Sequence, residues 1–204
     1  MNQVRLHTIS NCLKICSVVS MKNIIFDLDG TLADTSGDLI AAANNCFIDL
    51  GYGALLNPTI DKLTAFHGGR AMLKKGFKKI SIDWTEELID SQYSNLLRHY
   101  SDHIDNKTYL YDGVLRALNR LSKNGYNLGV CTNKPEKLAE TLLTKLKIRA
   151  YFSVMLGADT LSVRKPDPSD LLETINRMGG KPENSVLIGD TNTDRQTALN
   201  AIVP

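Results

Sequence analysis

Long hydrophobic runs and a strong excess of charge are both missing from this sequence. No apolar stretch approaches the roughly 20 residues that a membrane-spanning helix needs. Lys and Arg total 24 against 22 Asp and Glu, which leaves a formal net charge of only +2, and no long basic run occurs. The sequence therefore argues against a membrane partner, and it makes nucleic acid an unexpected one.

Cysteine is also scarce and irregularly placed. Cys12, Cys16, Cys46 and Cys131 show no paired CxxC spacing, which argues against a disulfide framework or a zinc site. Such thiols suit a reducing compartment, so we expect a cytoplasmic protein. The 204 residues are enough for one full core with a smaller second module, and an apolar fraction of 43% is ordinary for a globular protein.

The first twenty residues differ from the rest of the chain. They contain no acidic residue and carry Arg5 and Lys14, a composition that resembles a targeting peptide only weakly. Their apolar segment is short, and the chain restarts at Met21, directly before a strong strand pattern. We predict that residues 1–20 form a disordered extension, or that the natural start is Met21.

Four short apolar runs are predicted to be buried β-strands. They cover residues 24–26, 127–131, 153–156 and 185–189. None alternates apolar with polar residues, so both faces of each strand must be covered, as in a parallel sheet packed between helices. Helical patterns fill the intervals between these strands, which predicts an α/β fold with a doubly wound, Rossmann-like parallel sheet.

One interval breaks this alternation of strands and helices. Residues 37–104 show helical patterns without a convincing buried strand. An insertion after the first strand would lie above the carboxyl edge of the sheet, where ligands bind in such folds. We therefore predict a helical cap over residues 37–104 and a core formed by residues 21–36 and 105–204.

The segment from Asp27 to Gly30 carries the strongest chemical signal. Asp27 and Asp29 follow the first predicted strand with one residue between them, and two carboxylates at a buried strand end are costly unless their charge is compensated. Mg²⁺ would compensate it, since this ion prefers oxygen ligands. Gly30 would let the chain turn sharply. For an isolated DxDG segment, a solvated Asp-Gly turn is an equally good explanation.

Three further segments place suitable groups after predicted strands or in the following loops. Thr132 and Asn133 precede a helix, and helix starts favour anions. Lys165 lies in a proline-stiffened loop, and Asp190 follows the last predicted strand. Each has an ordinary alternative as a cap or a solvated side chain. Four compatible features along one predicted sheet instead indicate a phosphate site.

The order and spacing of these segments resemble the haloacid dehalogenase (HAD) superfamily of phosphohydrolases. DLDGTLADT is similar to the first motif of that superfamily, CTNKP to the second, RKPDP to the third and GDTNTD to the fourth. The resemblance runs from Met21 almost to the C-terminus, and the helical insertion resembles the C1 cap of the superfamily. Within it, the motifs look most like those of phosphoglycolate phosphatases.

The resemblance implies a role for each matching residue. Asp27 would be the nucleophile that forms an aspartyl phosphate, and Asp29 would protonate the leaving alcohol and then activate water. Mg²⁺ would be held by Asp27, the backbone carbonyl of Asp29, and Asp190. Thr132 and Lys165 would hold the phosphoryl oxygens. Asn133 would join them in binding the substrate, and Gly30, Thr31 and Asp194 would support the site.

The implied substrate is a small phosphorylated metabolite, and the implied activity is phosphoric monoester hydrolysis of the phosphoglycolate phosphatase type. In the cap, Arg70 could bind a substrate carboxylate, although a surface arginine is the alternative. A sugar phosphomutase of the same superfamily and a non-catalytic phosphate-binding regulatory protein stay open as functions. The resemblance is compatible with a monomer or a homodimer. Relatives usually continue past Pro204 into another strand, so we expect a more exposed sheet edge.

Overall fold

The computed structural model describes residues 22–204, so the prediction for residues 1–20 lies outside the described residues. Six strands occur in this part of the chain: β1 Asn23–Phe26, β2 Ala33–Asp34, β3 Tyr109–Leu110, β4 Asn127–Cys131, β5 Val154–Leu156 and β6 Ser185–Ile188. Its α-helices are α1 Ser36–Asp49, α2 Lys62–Ala65, α3 Gly69–Lys79, α4 Glu86–Asp102, α5 Val114–Lys123, α6 Glu136–Lys145, α7 Ser169–Arg177 and α8 Asn192–Ala201.

Four of the strands form one parallel sheet in the order β5-β4-β1-β6. These are the four apolar runs of the sequence, so the prediction of a parallel α/β sheet is confirmed. Strand β1 lies inside the sheet because the chain continues to β4 on one side of it and later returns to β6 on the other. Such a reversal of strand order opens a crevice at the carboxyl ends of the strands.

Both faces of β1 are buried, as its unbroken apolar run requires. Ile24 and Phe26 belong to the larger apolar core, whereas Ile25 joins a second core on the opposite face with Leu171 and Ile175 of α7. Side chains alternate between the faces of a strand, so three consecutive apolar residues serve two helical layers. Because both of its faces are buried, β1 has a fixed position in the sheet. The position of Asp27, the residue that follows the strand, is fixed with it.

Helices α1 to α4 fill the interval in which the sequence predicted a helical cap. They pack on one another through an edge-to-face contact between Phe47 of α1 and Phe77 of α3, with ring centroids 5.3 Å apart. Gly76 makes this approach possible, because a Cβ there would lie 2.1 Å from the Phe47 ring. The domain bounds 37–104 stay a prediction, since the helices alone do not define separate domains.

The two chain segments that enter and leave these helices are tied together. Strands β2 and β3 pair antiparallel, with Ala33 opposite Leu110. Next to this ribbon, the buried Asp38 carboxylate accepts hydrogen bonds from the backbone N–H groups of Lys107 and Thr108, at 2.9 to 3.0 Å. The helices are therefore held to the sheet by backbone pairing and by one buried acid.

The outer edge of β6 carries the last residues of the chain. Leu187 N–H donates to the Pro204 carbonyl at 3.0 Å, and Val203 is buried. The edge is therefore covered at Leu187, although Ile188 remains partly exposed. Among the residues described, no helix is both long and apolar enough to cross a bilayer.

Candidate active site

The predicted catalytic residues meet at the carboxyl ends of β1, β4 and β6, below the helices of the insertion. A cavity of about 410 Å³ opens there. Its floor includes Asp27, Thr132 and Lys165, and its other wall includes Arg70 of α3 and Tyr100 of α4. Core and insertion therefore both contribute to the same cavity.

A buried ion pair network forms the floor of the cavity. The Lys165 ammonium lies 3.0 Å from Asp27 Oδ1 and 2.5 Å from Asp194 Oδ1. Asp194 belongs to the first turn of α8, where it also accepts from the Thr191 N–H and hydroxyl in a capping box. The ammonium is thus fixed between a strand end and a helix start, and it neutralises two largely buried acids.

The pKa values on the floor follow from this burial. Burial raises the pKa of the Asp27 carboxyl to about 6, and the Lys165 ammonium opposes the rise. Burial by itself would lower the pKa of Lys165, but the Asp27 carboxylate and other neighbouring groups raise it above its usual range. The pKa of Asp194 is lowered because Lys165 and Thr191 outweigh the effect of its burial. The lysine therefore stays charged at neutral pH.

A third carboxylate faces this pair. Oxygens of Asp27, Asp190 and Asp194 all lie within 4.8 Å of one another. The Thr31 hydroxyl holds Asp190 by donating to its Oδ1 at 2.9 Å. Gly30 has a φ of +85°, and a Cβ there would lie 2.3 Å from Asp190 Oδ2. The glycine therefore serves both the turn and the close approach of the third acid.

This donor set fits a hard divalent cation. Asp27 Oδ1 is buried and accepts no aligned hydrogen bond from any group within residues 22–204. Asp190 is the exposed member of this cluster of three acids. Carboxylate oxygens at such a site are ligands that Mg²⁺ accepts. Asp194 is less available because Lys165 and Thr191 already bind its oxygens.

The Asp29 carboxylate points to different partners. Its Oδ1 accepts from the Thr35 hydroxyl at 2.7 Å and lies 3.0 Å from the Lys134 ammonium. It does not belong to the cluster of three acids. Two carboxylates that are separated by one residue in sequence therefore have different surroundings.

The two residues predicted after β4 differ in what they contact. Thr132 is buried at the cavity floor, where its Oγ1 accepts from the Lys134 backbone N–H at 3.3 Å. Asn133 also lines the cavity, but its amide donates to the Lys165 backbone carbonyl at 3.0 Å. The structure therefore gives Asn133 a contact that holds the Lys165 loop, in addition to its place at the cavity.

Arg70 lies at the wall of the cavity, as the substrate prediction requires, but its guanidinium is occupied. One of its nitrogens lies 2.8 Å from Glu86 Oε2, and another contacts Asp90. These carboxylates raise the pKa of Arg70 above its usual value. All three side chains are at least a third exposed, so water competes for these contacts. Arg70 could bind a substrate carboxylate only by exchanging these partners.

Comparison with known proteins identifies the family. The family model of the haloacid dehalogenase-like hydrolases matches residues 24–204, which is most of the chain. The chain belongs to this family. A phosphoglycolate phosphatase from Agrobacterium fabrum is 38% identical over 182 residues, covering 88% of this chain and 77% of that protein. One from Aquifex aeolicus is 32% identical over 183 residues, covering 89% and 81%.

Solved structures show the same haloacid dehalogenase-like fold. The crystal structure of a predicted phosphoglycolate phosphatase from Haemophilus somnus superposes with a TM-score of 0.80 at 27% identity, covering 92% of this chain and 84% of that one. The resemblance of the four sequence motifs to this superfamily is thereby confirmed.

Sequence reasoning missed three members of the haloacid dehalogenase-like site. Thr35 and Lys134 contact Asp29, and Tyr100 contacts Lys134. Lys134 could have been found, because it follows Thr132 and Asn133 in the same loop after a buried strand. Tyr100 gave no such signal, since the helical pattern only placed it on an apolar face.

Proposed function

We propose that this chain hydrolyses small phosphate monoesters, with 2-phosphoglycolate as the preferred substrate, through a phosphoaspartate formed on Asp27. The enzyme class, phosphoric monoester hydrolase, is supported by the family and by the relatives called phosphoglycolate phosphatases. The substrate, the intermediate and the Mg²⁺ requirement are the further content of the proposal.

One observation carries the mechanism. The buried Lys165 ammonium lies between Asp27 and Asp194 at the floor of the cavity, with the Asp190 carboxylate close to both acids. An acid whose charge is balanced by a fixed ammonium can be approached by a phosphate dianion, which an isolated carboxylate would repel. This arrangement favours phosphoryl transfer to Asp27.

In the first step, a carboxylate oxygen of Asp27 attacks phosphorus, and the bond between phosphorus and the ester oxygen breaks. Asp29 gives its proton to the departing alkoxide, which leaves as the alcohol. Lys165, together with Thr132, stabilises the charge that spreads over the phosphoryl oxygens. In the second step, water attacks the same phosphorus while Asp29 takes its proton, so that inorganic phosphate and free Asp27 are released.

Mg²⁺ would be held by Asp27, the backbone carbonyl of Asp29, and Asp190. When bound, it would supply positive charge that offsets repulsion between the nucleophile and the substrate phosphate. Thr31 and Gly30 would support this site, because the first donates to Asp190 and the second leaves room for it.

The cavity suits a short substrate with an acidic second end. Its volume of about 410 Å³ is at the small end of the range for ligand pockets. Arg70 lines it opposite the floor, and Lys134 contributes a buried ammonium. We expect the carboxylate of 2-phosphoglycolate, one carbon away from the ester oxygen, to face these groups.

The test is phosphate release from a panel of monoesters by the purified protein, with Mg²⁺ or with a chelator. We expect the highest kcat/KM for 2-phosphoglycolate and no turnover after chelation. Asp27→Asn and Asp29→Asn should each lose about a thousandfold or more in rate. Mass spectrometry of the denatured, quenched reaction should detect phosphate on the peptide that contains Asp27.

The other functions predict different results. A sugar phosphomutase would need a bisphosphate activator and would return the phosphoryl group to the sugar. A phosphate-binding regulatory protein would bind metal and phosphate without turnover. Rapid phosphate release without an activator supports the proposal, and either of the other two patterns would replace it.

A further inference from the structure

Lys134 is a buried ammonium with two partners on opposite sides of the cavity. Its side chain is only 3% exposed, and its Nζ lies 3.0 Å from Asp29 Oδ1. On the other side, it donates to the Tyr100 hydroxyl at 3.0 Å and lies 4.3 Å from the centre of the Tyr100 ring. A buried ammonium is costly unless its partners are well placed, so the positions of Asp29 and Tyr100 matter for Lys134.

The partners come from different parts of the fold. Asp29 follows β1, whereas Tyr100 lies near the end of α4 and is itself fully buried. Burial raises the pKa of Tyr100 to about 12 although Lys134 opposes the rise, so its hydroxyl is neutral. Lys134 therefore connects the helical insertion to an acid of the core through one ammonium group.

The contacts use one oxygen of Asp29 and leave the other available. Thr35 and Lys134 both approach Oδ1. No hydrogen-bond donor from residues 22–204 reaches Oδ2. An anchored carboxyl group with one unoccupied oxygen is suited to carry a proton on that oxygen and to present it in a fixed direction.

We propose that Lys134 and Tyr100 are positioning residues that hold Asp29 for proton transfer to the leaving alcohol. The inference rests on the proposed phosphatase activity. Because Lys134 contacts both Tyr100 of α4 and Asp29, the position of this acid would depend on the helical insertion as well as on the core. Neither residue needs to touch the substrate for this effect.

The leaving group gives a direct test. An alkyl ester such as cyclohexyl phosphate needs a proton on its poor leaving group, whereas 4-nitrophenyl phosphate releases a stable phenolate without one. The ratio of kcat/KM for these two esters therefore reports protonation by Asp29 in the first step. Neither ester carries a carboxylate, so a role in binding the acidic end of 2-phosphoglycolate would not change the ratio.

We expect Lys134→Met to lower kcat/KM about 100-fold for cyclohexyl phosphate and less than about 5-fold for 4-nitrophenyl phosphate, since general acid catalysis has this order of effect. Asp29→Asn should change the ratio in the same direction. Tyr100→Phe keeps the ring and removes only the hydroxyl, so a drop of about 5-fold in the ratio is expected. Lys137→Met is the control, because that lysine is exposed on α6 and does not line the cavity.

The outcomes separate the inference from the proposed function. Equal losses on both esters in Lys134→Met and Tyr100→Phe would overturn the inference, because a merely structural role affects both alike. If Lys134→Met does not fold, as judged by circular dichroism, Tyr100→Phe decides alone: a lower ratio supports positioning and an unchanged ratio overturns it. A wild-type protein that releases phosphate from neither ester nor 2-phosphoglycolate would remove the proposed function itself.

Discussion

The floor and the opposite wall of the cavity both carry ion pairs, but these pairs differ in exposure. On the floor, the side chains of Lys165 and Asp194 are 2% and 4% exposed. On the wall, Arg70 is 34% exposed, and its partners Glu86 and Asp90 are 60% and 64% exposed. Ion pairs of the same chemical kind therefore contribute differently to stability in the two places.

Exposure decides what each pair can do. A buried charge that loses its partner has no water to replace it, so the floor is fixed in geometry and sensitive to substitution. Exposed pairs contribute at most about 1 kcal/mol, because water and salt compete for both partners. The ion pairs of the floor are thus fixed, whereas those of the wall can exchange partners.

The largest expected effect is at the floor. Lys165→Met leaves Asp27 and Asp194 buried without their ammonium, which should cost about 3–5 kcal/mol of stability. Under the proposed mechanism it also removes a stabiliser of the phosphoryl charge, worth about a hundredfold to a thousandfold in kcat. Urea unfolding and phosphate release measure the two losses.

The matched control for this lysine is an exposed lysine on α3 that shares the Glu86 carboxylate with Arg70. Lys74 pairs with Glu86 at 2.7 Å but is 37% exposed. Lys74→Met should change the free energy of unfolding by less than about 1 kcal/mol and leave kcat unchanged. Similar losses of stability in both variants would contradict the distinction between floor and wall.

A smaller effect, on the Mg²⁺ requirement, is expected at Gly30, where a side chain would collide with Asp190. Gly30→Ala would push its Cβ against Asp190, 2.3 Å away, at a φ of +85°. Since Asp190 is a proposed Mg²⁺ ligand, its displacement should raise the Mg²⁺ concentration for half-maximal activity about tenfold or more, as for other residues that orient metal ligands.

Gly53→Ala separates strain from collision in that experiment. Gly53 also has a positive φ, +73°, but a Cβ there would meet nothing within 4 Å. Gly53→Ala should therefore cost about 1 kcal/mol in stability, as strained backbone does, with no change in the Mg²⁺ requirement. An unchanged Mg²⁺ requirement in Gly30→Ala would refute the role given to this glycine.

The difference between floor and wall also explains what the sequence could predict. Asp27 directly follows β1, and Asp190 comes two residues after the end of β6, so a correct strand prediction brings them to one sheet edge. Arg70 lies on a helix of the insertion, and whether its guanidinium is free depends on acids sixteen and twenty residues away on another helix. Local sequence patterns indicate where a strand ends, but they do not indicate how two helices pack on each other.

Asp170 shows what happens to a buried acid on the core without a partner. It is only 1% exposed, and neither carboxylate oxygen has a hydrogen-bond partner among residues 22–204. Burial raises its pKa from an ordinary 3.8 to about 6. Asp170→Asn should therefore stabilise the protein by about 1–3 kcal/mol at pH 8.

The pH dependence fixes the sign of this effect. Below the pKa of the unfolded state, Asp170 is protonated in both the folded and the unfolded state, so its burial costs no electrostatic free energy. As the pH rises through the folded-state pKa near 6, the folded protein must lose this proton, and the cost of burying the carboxylate becomes complete. The gain from Asp170→Asn in urea unfolding should thus be larger at pH 8 than at pH 5. In Asp167→Asn, stabilisation is not expected, because hydrogen bonds from Ser169 lower the pKa of Asp167. An equal gain at both pH values would exclude the ionised carboxylate as the cause.

The smallest expected effect is a change in KM at the wall, and the direction of this change tests the role of Arg70. Arg70→Gln should raise KM for 2-phosphoglycolate about threefold and leave kcat and stability nearly unchanged, as for other exposed pairs. Glu86→Gln removes one of the two acids that occupy the guanidinium, so it should lower KM by a similar factor. Opposite shifts in KM would mean that Arg70 exchanges partners with the substrate carboxylate. If both variants change kcat instead, the wall is part of the fixed geometry of the floor, and the distinction between the two fails.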